Sequence, residues 1–233
     1  MTDTAPRRLL IPALSTLAML AVLLFLGTWQ VQRLAWKTAL LAALDTAEKS
    51  PAVPLSAHPP AFARVRAEGM FLPAHVAWYG IEVRSIGAAT IGGTRWLEVL
   101  FRPGAAPVLV DRGWVPDVIA RNPPPVIAGY AAVIEGYVRP PAPAGLFTPA
   151  PDLLRRHFYA LDPAVIGPTL GVPDLAPFVL VAMGPTPPDR YPDPARTLPR
   201  PANNHLVYAV TWYSLAAVLL VIFALYVRKA SRP

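Results

Sequence analysis

Two uncharged stretches near opposite ends of the chain decide its fold class: LLIPALSTLAMLAVLLFLGTW at Leu9–Trp29 and LVYAVTWYSLAAVLLVIFALYV at Leu206–Val227. At 1.5 Å per residue, each predicted helix spans roughly 32 Å, about one hydrocarbon core. A membrane interior offers the backbone no water to bond, so both stretches are predicted to be transmembrane helices. A cleaved signal peptide is an alternative for the first stretch, but that stretch is too long and no small-residue cleavage site follows it. Two buried core helices are the other alternative.

The composition agrees with a chain that lies partly in lipid. Apolar residues make up 54% of the 233 residues and charged residues only 15%, against about 25% in a typical soluble domain. Cysteine is absent, which excludes a disulfide framework, a cysteine zinc site, an iron–sulfur cluster and a thiol nucleophile. The net charge of +7 raises the question of a nucleic-acid partner, which the position of the charges answers.

Basic residues flank the two apolar stretches on their outer sides. Arg7 and Arg8 precede the first, and Arg228, Lys229 and Arg232 follow the second. By the positive-inside rule, both termini are predicted to be cytoplasmic and the long segment between the helices to be periplasmic. The predicted location is a bacterial inner membrane, or the inner membrane of a mitochondrion. The basicity is therefore mainly a topology signal, and no nucleic-acid partner is expected.

The segment between the helices is predicted to be a β-rich α+β extracytoplasmic domain, an antiparallel sheet or small barrel. Short apolar runs alternate there with Gly and Pro clusters, the pattern of many short strands. Asp162-Pro163 predicts the cap and first turn of one short helix. The predicted divisions are a cytoplasmic tail at 1–8, transmembrane helix 9–29, helical stalk 30–50, β-rich domain 51–183, proline-rich strap 184–205, transmembrane helix 206–227 and cytoplasmic tail 228–233. The candidate strands are Phe62–Phe71, Val76–Ile86, Arg95–Phe101, Pro107–Trp114, Ala131–Val138, His157–Leu161 and Phe178–Met183.

No catalytic signature is present, so an enzyme is not expected. The chain has four histidines, and His58, His75 and His157 are scattered without ligand-like spacing. His205 differs because it is the last polar residue before the second apolar stretch. The function classes left open by the residues alone are a ligand-binding membrane protein, a scaffold, and a membrane-tethered enzyme or sensor.

Aromatic and basic residues gather at the predicted outer membrane boundary. Helical spacing places Tyr208 and Trp212 on the same face as His205. The first apolar stretch ends at the same boundary with Trp29, Gln30, Arg33, Trp36 and Lys37. One imidazole, several aromatic planes and two cations could bind a haem through its iron, its macrocycle and its propionates. The alternative is an aromatic belt with snorkelling cations, as in most membrane helices.

Three motifs together resemble the surfeit-locus protein one family of cytochrome oxidase assembly factors. They are LGTWQVQRLAWK at Leu26–Lys37, VLVDRGWVP at Val108–Pro116 and NNHLVYAVTWYSLA at Asn203–Ala216. The resemblance extends over nearly the whole chain. It implies an integral membrane factor that helps to mature haem-copper terminal oxidases, which take their electrons either from cytochrome c or from quinol.

The resemblance also implies a cargo, partners and site residues. Family members in bacteria are thought to bind haem A transiently and pass it to oxidase subunit I, with other assembly factors or haem A synthase as further partners. The family histidine falls on His205, which makes it the expected ligand of the haem iron. Arg112 and Trp114 occupy the Arg-Gly-Trp motif and are either structural or face the haem or the oxidase. A scaffold that stabilises assembly intermediates without binding haem remains the alternative.

Overall fold

A computed structural model describes residues 5–123, 128–185 and 191–231. Arg232 and residues 186–190 of the predicted strap lie outside the described residues. The chain divides into two compact units, a helical unit formed by Met1–Ala43 and Arg200–Pro233 and a sheet unit formed by Leu44–Pro199. In chain order the elements are α1 (Ala5–Lys49), β1 (Val53–Pro54), β2 (Arg64–Ile86), β3 (Ala89–Phe101), β4 (Val108–Pro116), α2 (Asp117–Arg121), β5 (Tyr130–Arg139), β6 (His157–Phe158), α3 (Pro163–Thr169), β7 (Val179–Ala182) and α4 (His205–Ala230).

The two terminal helices are long and strongly apolar. Leu9–Lys49 contains a window with a mean hydropathy of 2.6, and the corresponding value for His205–Ala230 is 2.2. Each is long and apolar enough to cross a membrane, judged by length and composition. Helix α1 has 45 residues. It begins before Arg7 and Arg8 and continues without a break through the segment predicted to be a stalk.

The sheet is mixed, which corrects in part the prediction of an antiparallel sheet. Strand β3 pairs antiparallel with β2 and β4, and β5 pairs antiparallel with β2 and β7. The pairings of β1 with β2, β6 with β2, and β7 with β4 are parallel. A parallel neighbour needs a long connection, and the segment of about 60 residues between β4 and β7 provides one.

Strand β2 is the longest strand, and its two halves have different partners. Arg64–Phe71 pairs with β5, and Met70–Ile86 pairs with β3. The sequence predicts two separate strands here, Phe62–Phe71 and Val76–Ile86. The structure instead has one long strand with a register shift between Phe71 and Val76. This irregularity accommodates Pro73, which has no amide hydrogen to donate to a neighbouring strand.

Both faces of the sheet are covered by apolar side chains. Alternate residues of a strand point to opposite faces, so Val108 and Val110 of β4 join one buried cluster, whereas Leu109 joins another. The second cluster includes Ile166 of α3 and Leu170 just after it, so α3 packs on that face.

The predicted cap of α3 is confirmed. Asp162 lies just before the helix, its Oδ1 accepts a hydrogen bond from Ala164 N at 3.0 Å, and Pro163 occupies the first helical position. The short strand β1 and the five-residue helix α2 were not predicted, because segments of two and five residues have no measurable periodicity.

Candidate functional site

His205 is the first residue of α4, and its side chain contacts Gln30 on α1. The Nδ1 atom of His205 lies 2.6 Å from the carboxamide oxygen of Gln30. Gln30 is only 9% exposed. A carboxamide oxygen can only accept, so Nδ1 is the donor, and in the neutral ring Nε2 keeps its lone pair. Within the part of the chain that the structure describes, Nε2 has no hydrogen-bond partner. The pair therefore orients an imidazole whose second nitrogen is available.

The indole of Trp29 lies edge-on to the imidazole of His205. The two ring centroids are 6.4 Å apart, and the ring planes meet at 86°. Gln30 and Trp29 are adjacent in sequence, so consecutive residues of α1 contact the same imidazole, one through a hydrogen bond and one through an aromatic edge.

One turn further along α1, Arg33 and Trp36 form a cation–π pair. The guanidinium carbon of Arg33 lies 4.1 Å from the ring centroid of Trp36, and Trp36 is 51% exposed. Arg33 is exposed and pairs with no carboxylate among the described residues. Its charge is therefore available to an acidic group of a ligand.

Two buried polar atoms near His205 have no partner in the described chain. They are Oδ1 of Asn203, which precedes α4, and Nε1 of Trp212, which lies two turns after His205. Buried polar atoms in native proteins are almost always hydrogen-bonded. Tyr208 lies between them in sequence and is 53% exposed. The first turns of α4 thus combine unsatisfied polar atoms with exposed aromatic surface.

Close contacts hold α1 and α4 side by side. The hydroxyls of Thr28 and Tyr213 lie 3.1 Å apart, and a Cβ on Gly27 would lie 3.0 Å from the Tyr213 ring. Ala209 and Ala216 are each 3% exposed on α4, and small residues of this kind allow helices to approach closely in lipid. This packing fixes the imidazole opposite the carboxamide.

The helical unit contains most of the predicted haem-site residues. His205 contacts Trp29, and the Arg33–Trp36 pair lies on the same helix as Trp29. The donor set fits one face of a haem: an imidazole nitrogen for the iron, aromatic planes for the macrocycle and a guanidinium for a propionate.

Gln30 is the functional candidate that sequence reasoning did not assign to the site. Its signal in the sequence was a polar side chain directly after the uncharged stretch that ends at Trp29. Its contact with α4 could not be deduced from the sequence, because the rotation of one helix against another is set by packing.

Arg112 lies in the sheet unit, at a β-bulge in β4. Trp96 of β3 pairs with Gly113 and Leu97 pairs with Asp111, so Arg112 is the extra residue of the bulged strand. A bulge redirects the side chain of the extra residue. The bulge therefore explains how the partly exposed Arg112 fits into a strand whose other residues are all buried.

The guanidinium of Arg112 binds a buried carboxylate. Its Nη1 lies 2.7 Å from Oε2 of Glu98 and 2.6 Å from the hydroxyl of Tyr130, and its carbon lies 4.5 Å from the ring centroid of Phe71. Glu98 is 2% exposed. Burial raises the pKa of Glu98, and the charge of Arg112 opposes that rise. Arg112 therefore compensates a charge inside the sheet.

Trp114 has the contacts of a core side chain. It is 1% exposed, and its Nε1 donates to the carbonyl oxygen of Glu82 at 3.0 Å. Its ring packs against Tyr191 with centroids 5.7 Å apart, and its backbone bonds reciprocally to Asp193. These contacts support the structural alternative for Trp114. Its contact with a haem or an oxidase stays a prediction.

A series of linked ion pairs connects β4, β3 and β2 in the sheet unit. Asp111, which is fully buried, accepts from Arg95 at 2.5 Å; Arg95 also lies 3.3 Å from Glu82. Glu82 pairs with Arg84 at 2.7 Å, and Arg84 pairs with Asp193 at 2.7 Å. Burial lowers the pKa of Arg95, but the two carboxylates outweigh it and the pKa is raised. These ion pairs join β4, β3 and β2 to Asp193, which lies between β7 and α4.

The remaining histidines are bonded to backbone or exposed. His75 Nδ1 lies 2.9 Å from the carbonyl oxygen of Leu170, and His157 Nε2 lies 2.8 Å from that of Gly80. His58 is exposed. Across residues 5–123, 128–185 and 191–231, no three His, Asp or Glu side chains are grouped so that they could hold a metal ion.

Comparison with known proteins identifies the family of this chain. The model of the SURF1 family matches residues 17–217. A SURF1-like protein of Rickettsia felis is 30% identical over 220 residues, covering 89% of this chain and 93% of that protein. A SURF1-like protein of Rickettsia conorii is 29% identical over 215 residues, with 89% and 88% covered. The Surfeit locus protein 1 of Takifugu rubripes is 28% identical over 225 residues, with 88% and 92% covered. With most of its length matched, this chain belongs to the SURF1 family.

Proposed function

We propose that this protein is an assembly factor for a haem-copper terminal oxidase, and that it binds haem A transiently and aids its insertion into subunit I. The observation that carries the proposal is the hydrogen bond between His205 and Gln30, which leaves Nε2 of the imidazole available. Histidines that ligate metals usually donate their other ring nitrogen to an oxygen in this way. The family membership supports a role in oxidase assembly and a non-enzymatic protein.

The proposed location is a bacterial inner membrane, or a mitochondrial one in a eukaryote. Both apolar helices would span the bilayer, with the termini in the cytoplasm and the sheet unit in the periplasm. The support is the length and hydropathy of the two helices, together with the basic residues Arg228 and Lys229 in the last turn of α4.

The proposed handling of the cargo uses few residues. His205 binds the iron through Nε2, and Gln30 holds the ring in the orientation that this requires. Arg33 pairs with a propionate, while Trp29 and Trp36 cover apolar parts of the macrocycle. With His205 as its single ligand from this protein, the iron would be able to accept a ligand from an acceptor, which could then take over the cargo. Subunit I is the proposed acceptor, with haem A synthase or another assembly factor as the donor.

The test is the visible spectrum of the full chain purified in detergent from cells that make haem A. We expect a haem spectrum from the unaltered protein and its loss, at equal yield, in His205→Ala. His58→Ala is the matched control, because His58 is exposed and lies in the sheet unit. Equal haem content in His205→Ala would refute the ligand assignment.

The alternative is a scaffold that stabilises oxidase subunit intermediates without binding haem. The cation–π pair of Arg33 and Trp36 favours it, since exposed aromatic and basic residues at a helix end also form membrane-interface anchors. A scaffold would co-purify a haem-free oxidase intermediate in an amount that His205→Ala does not change.

A further inference from the structure

Two tight turns of the sheet unit expose large apolar side chains at their corners. The first turn runs from Gly145 to Thr148. The amide of Thr148 donates to the carbonyl of Gly145 at 3.1 Å, and the hydroxyl of Thr148 accepts from the amide of Gly145 at 2.8 Å. The two central residues are Leu146 and Phe147, and each is 98% exposed.

The second turn follows four residues later. Asp152 and His157 exchange two backbone hydrogen bonds, each of 2.9 Å. Within the turn, the carboxylate of Asp152 accepts from the amide of Arg155 at 3.0 Å. Leu153 and Leu154 occupy the tip and are 57% and 98% exposed. We refer to Gly145–Thr148 and Asp152–His157 as the apolar turns.

The exposure of these side chains does not come from an open loop. Hydrogen bonds close both turns, and the flanking backbone is pinned where Ala142 pairs with Leu161 through two bonds of 2.8 and 3.0 Å. Corner positions of turns normally carry Gly, Pro, Asn, Asp or Ser. Leu-Phe and Leu-Leu instead stand at two successive corners, and large exposed apolar side chains that are close in the chain can mark an interaction site.

The neighbouring charges indicate what this surface contacts. Arg155 follows the Leu-Leu corner directly; its side chain is 85% exposed, and its Nη1 lies 3.6 Å from Oδ2 of Asp152. Arg156 comes next in the sequence, and its guanidinium donates to the carbonyl oxygen of Ala74. Asp152 is the one carboxylate in the segment 143–157. Apolar residues beside arginines are typical of segments that lie in the interface of an anionic membrane.

Chain connectivity supports the same contact. The sheet unit is preceded by α1 and followed by α4, the two helices that are long and apolar enough to cross a membrane. A unit tied at both ends to such helices has a lipid surface within reach. A protein partner has no comparable support from the described residues.

We propose that the apolar turns insert into the membrane surface. The side chains of Leu146, Phe147 and Leu154 enter the boundary between headgroups and acyl chains, and Arg155 contacts lipid phosphates. This is a second attachment of the sheet unit to the membrane, additional to the two helices. It concerns residues outside the candidate haem site and does not depend on haem binding.

The absence of cysteine allows one label to report on the turns. Ala150→Cys places an environment-sensitive nitrobenzoxadiazole dye at an exposed position between the two turns and leaves their apolar residues intact. The labelled full chain is reconstituted into phosphatidylcholine vesicles with and without phosphatidylglycerol. The matched control is Ala105→Cys, an exposed position in the turn that Ala105 closes with Arg102.

We expect the dye at position 150 of the reconstituted protein to emit at a shorter wavelength than the free dye in buffer without detergent. It should be quenched by lipids with a nitroxide near the headgroup, at a depth of roughly 5–10 Å, and protected from iodide. Phosphatidylglycerol should strengthen these effects, and Arg155→Gln should remove that strengthening. The control label should be quenched by iodide. Adding Phe147→Ser and Leu154→Ser, both fully exposed positions that the fold does not need, should make position 150 behave like the control.

Three results would overturn the proposal. The first is equal iodide quenching at positions 150 and 105. The second is protection from iodide without quenching by nitroxide lipids, which would indicate contact with protein. The third is lipid quenching that persists in the Phe147→Ser, Leu154→Ser variant.

Discussion

Replacing Arg112 by methionine should destabilise the sheet unit strongly, because it leaves Glu98 charged, buried and without its main partner. Glu98 is 2% exposed, and its Oε2 lies 2.7 Å from Nη1 of Arg112. Removing one partner of a buried ion pair costs about 3–5 kcal/mol. The hydroxyl of Tyr130 still donates to Glu98 at 3.3 Å, so we expect the lower end, about 3 kcal/mol. For a unit of this size, that lowers Tm by roughly 6–12 °C.

The loss should depend on pH in a defined direction. The pKa of Glu98 is raised above its ordinary value of 4.5 by burial, and Arg112 opposes the rise. A raised pKa in the folded state means that the folded protein binds the proton more tightly. The favourable contribution is complete below the pKa of the unfolded chain and is lost as pH rises through the folded pKa. Without Arg112 the folded pKa rises further, so Arg112→Met should be most harmful at neutral pH and less harmful near pH 4.5.

The assay is thermal unfolding of the full chain in detergent, followed by near-ultraviolet circular dichroism at neutral and acidic pH. Arg66→Met is the matched control, since Arg66 forms an ion pair with Glu68 in which both side chains are at least half exposed, and such pairs contribute little. Adding Glu98→Gln to Arg112→Met should recover much of the lost Tm. An unchanged Tm in Arg112→Met, or a loss that is equal at both pH values, would refute the buried-charge argument.

Three further predictions concern packing and the candidate site. Trp114→Ala should lower the free energy of unfolding by about 3–5 kcal/mol, seen as a lower Tm, and an unchanged Tm would contradict its core placement. Gly136→Ala should prevent the sheet from forming, because the added Cβ would overlap the carbonyl oxygen of Val181. Gly145→Ala should express normally, because its Cβ would meet Oγ1 of Thr148 at an ordinary contact distance of 3.8 Å; similar yields of folded protein for the two variants would be inconsistent with the close approach at Gly136. Gln30→Leu should reduce haem content at least several-fold while leaving Tm nearly unchanged, since it removes the acceptor that orients His205; haem content equal to that of the unaltered chain would show that the orientation is unimportant.

The sequence predicted the helices and most strands because their signals are local. An uncharged run of 21 residues has few interpretations, and the strands around Val108 and Tyr137 follow alternating or continuous apolar patterns between Gly and Pro clusters. The mixed pairing was not predictable in this way. Val179–Ala182 reads as a buried strand whether its neighbours run parallel or antiparallel, and only the tertiary connection decides.

In the candidate site, too, the local features were predictable from the sequence and the contacts between elements were not. Helical spacing placed His205, Tyr208 and Trp212 on one face without any knowledge of the partner helix. The contact with Gln30 depends on which side of α1 faces α4, and that follows from close packing at positions such as Gly27. The bulge at Arg112 could not be predicted either, because one extra residue in a strand does not change the apolar pattern of the sequence recognisably.

The ion pairs that run from Asp111 through Arg95, Glu82 and Arg84 to Asp193 have a consequence for the divergence of this protein. Each inner member is shared by two partners, so losing one charge disturbs two contacts, and the effects of substitutions in direct contact are not additive. A neutral replacement at one of these positions should be tolerated mainly in backgrounds where a partner has already changed. The five positions should therefore vary together among relatives, and transplanting one residue from a distant relative should do more harm than transplanting all five.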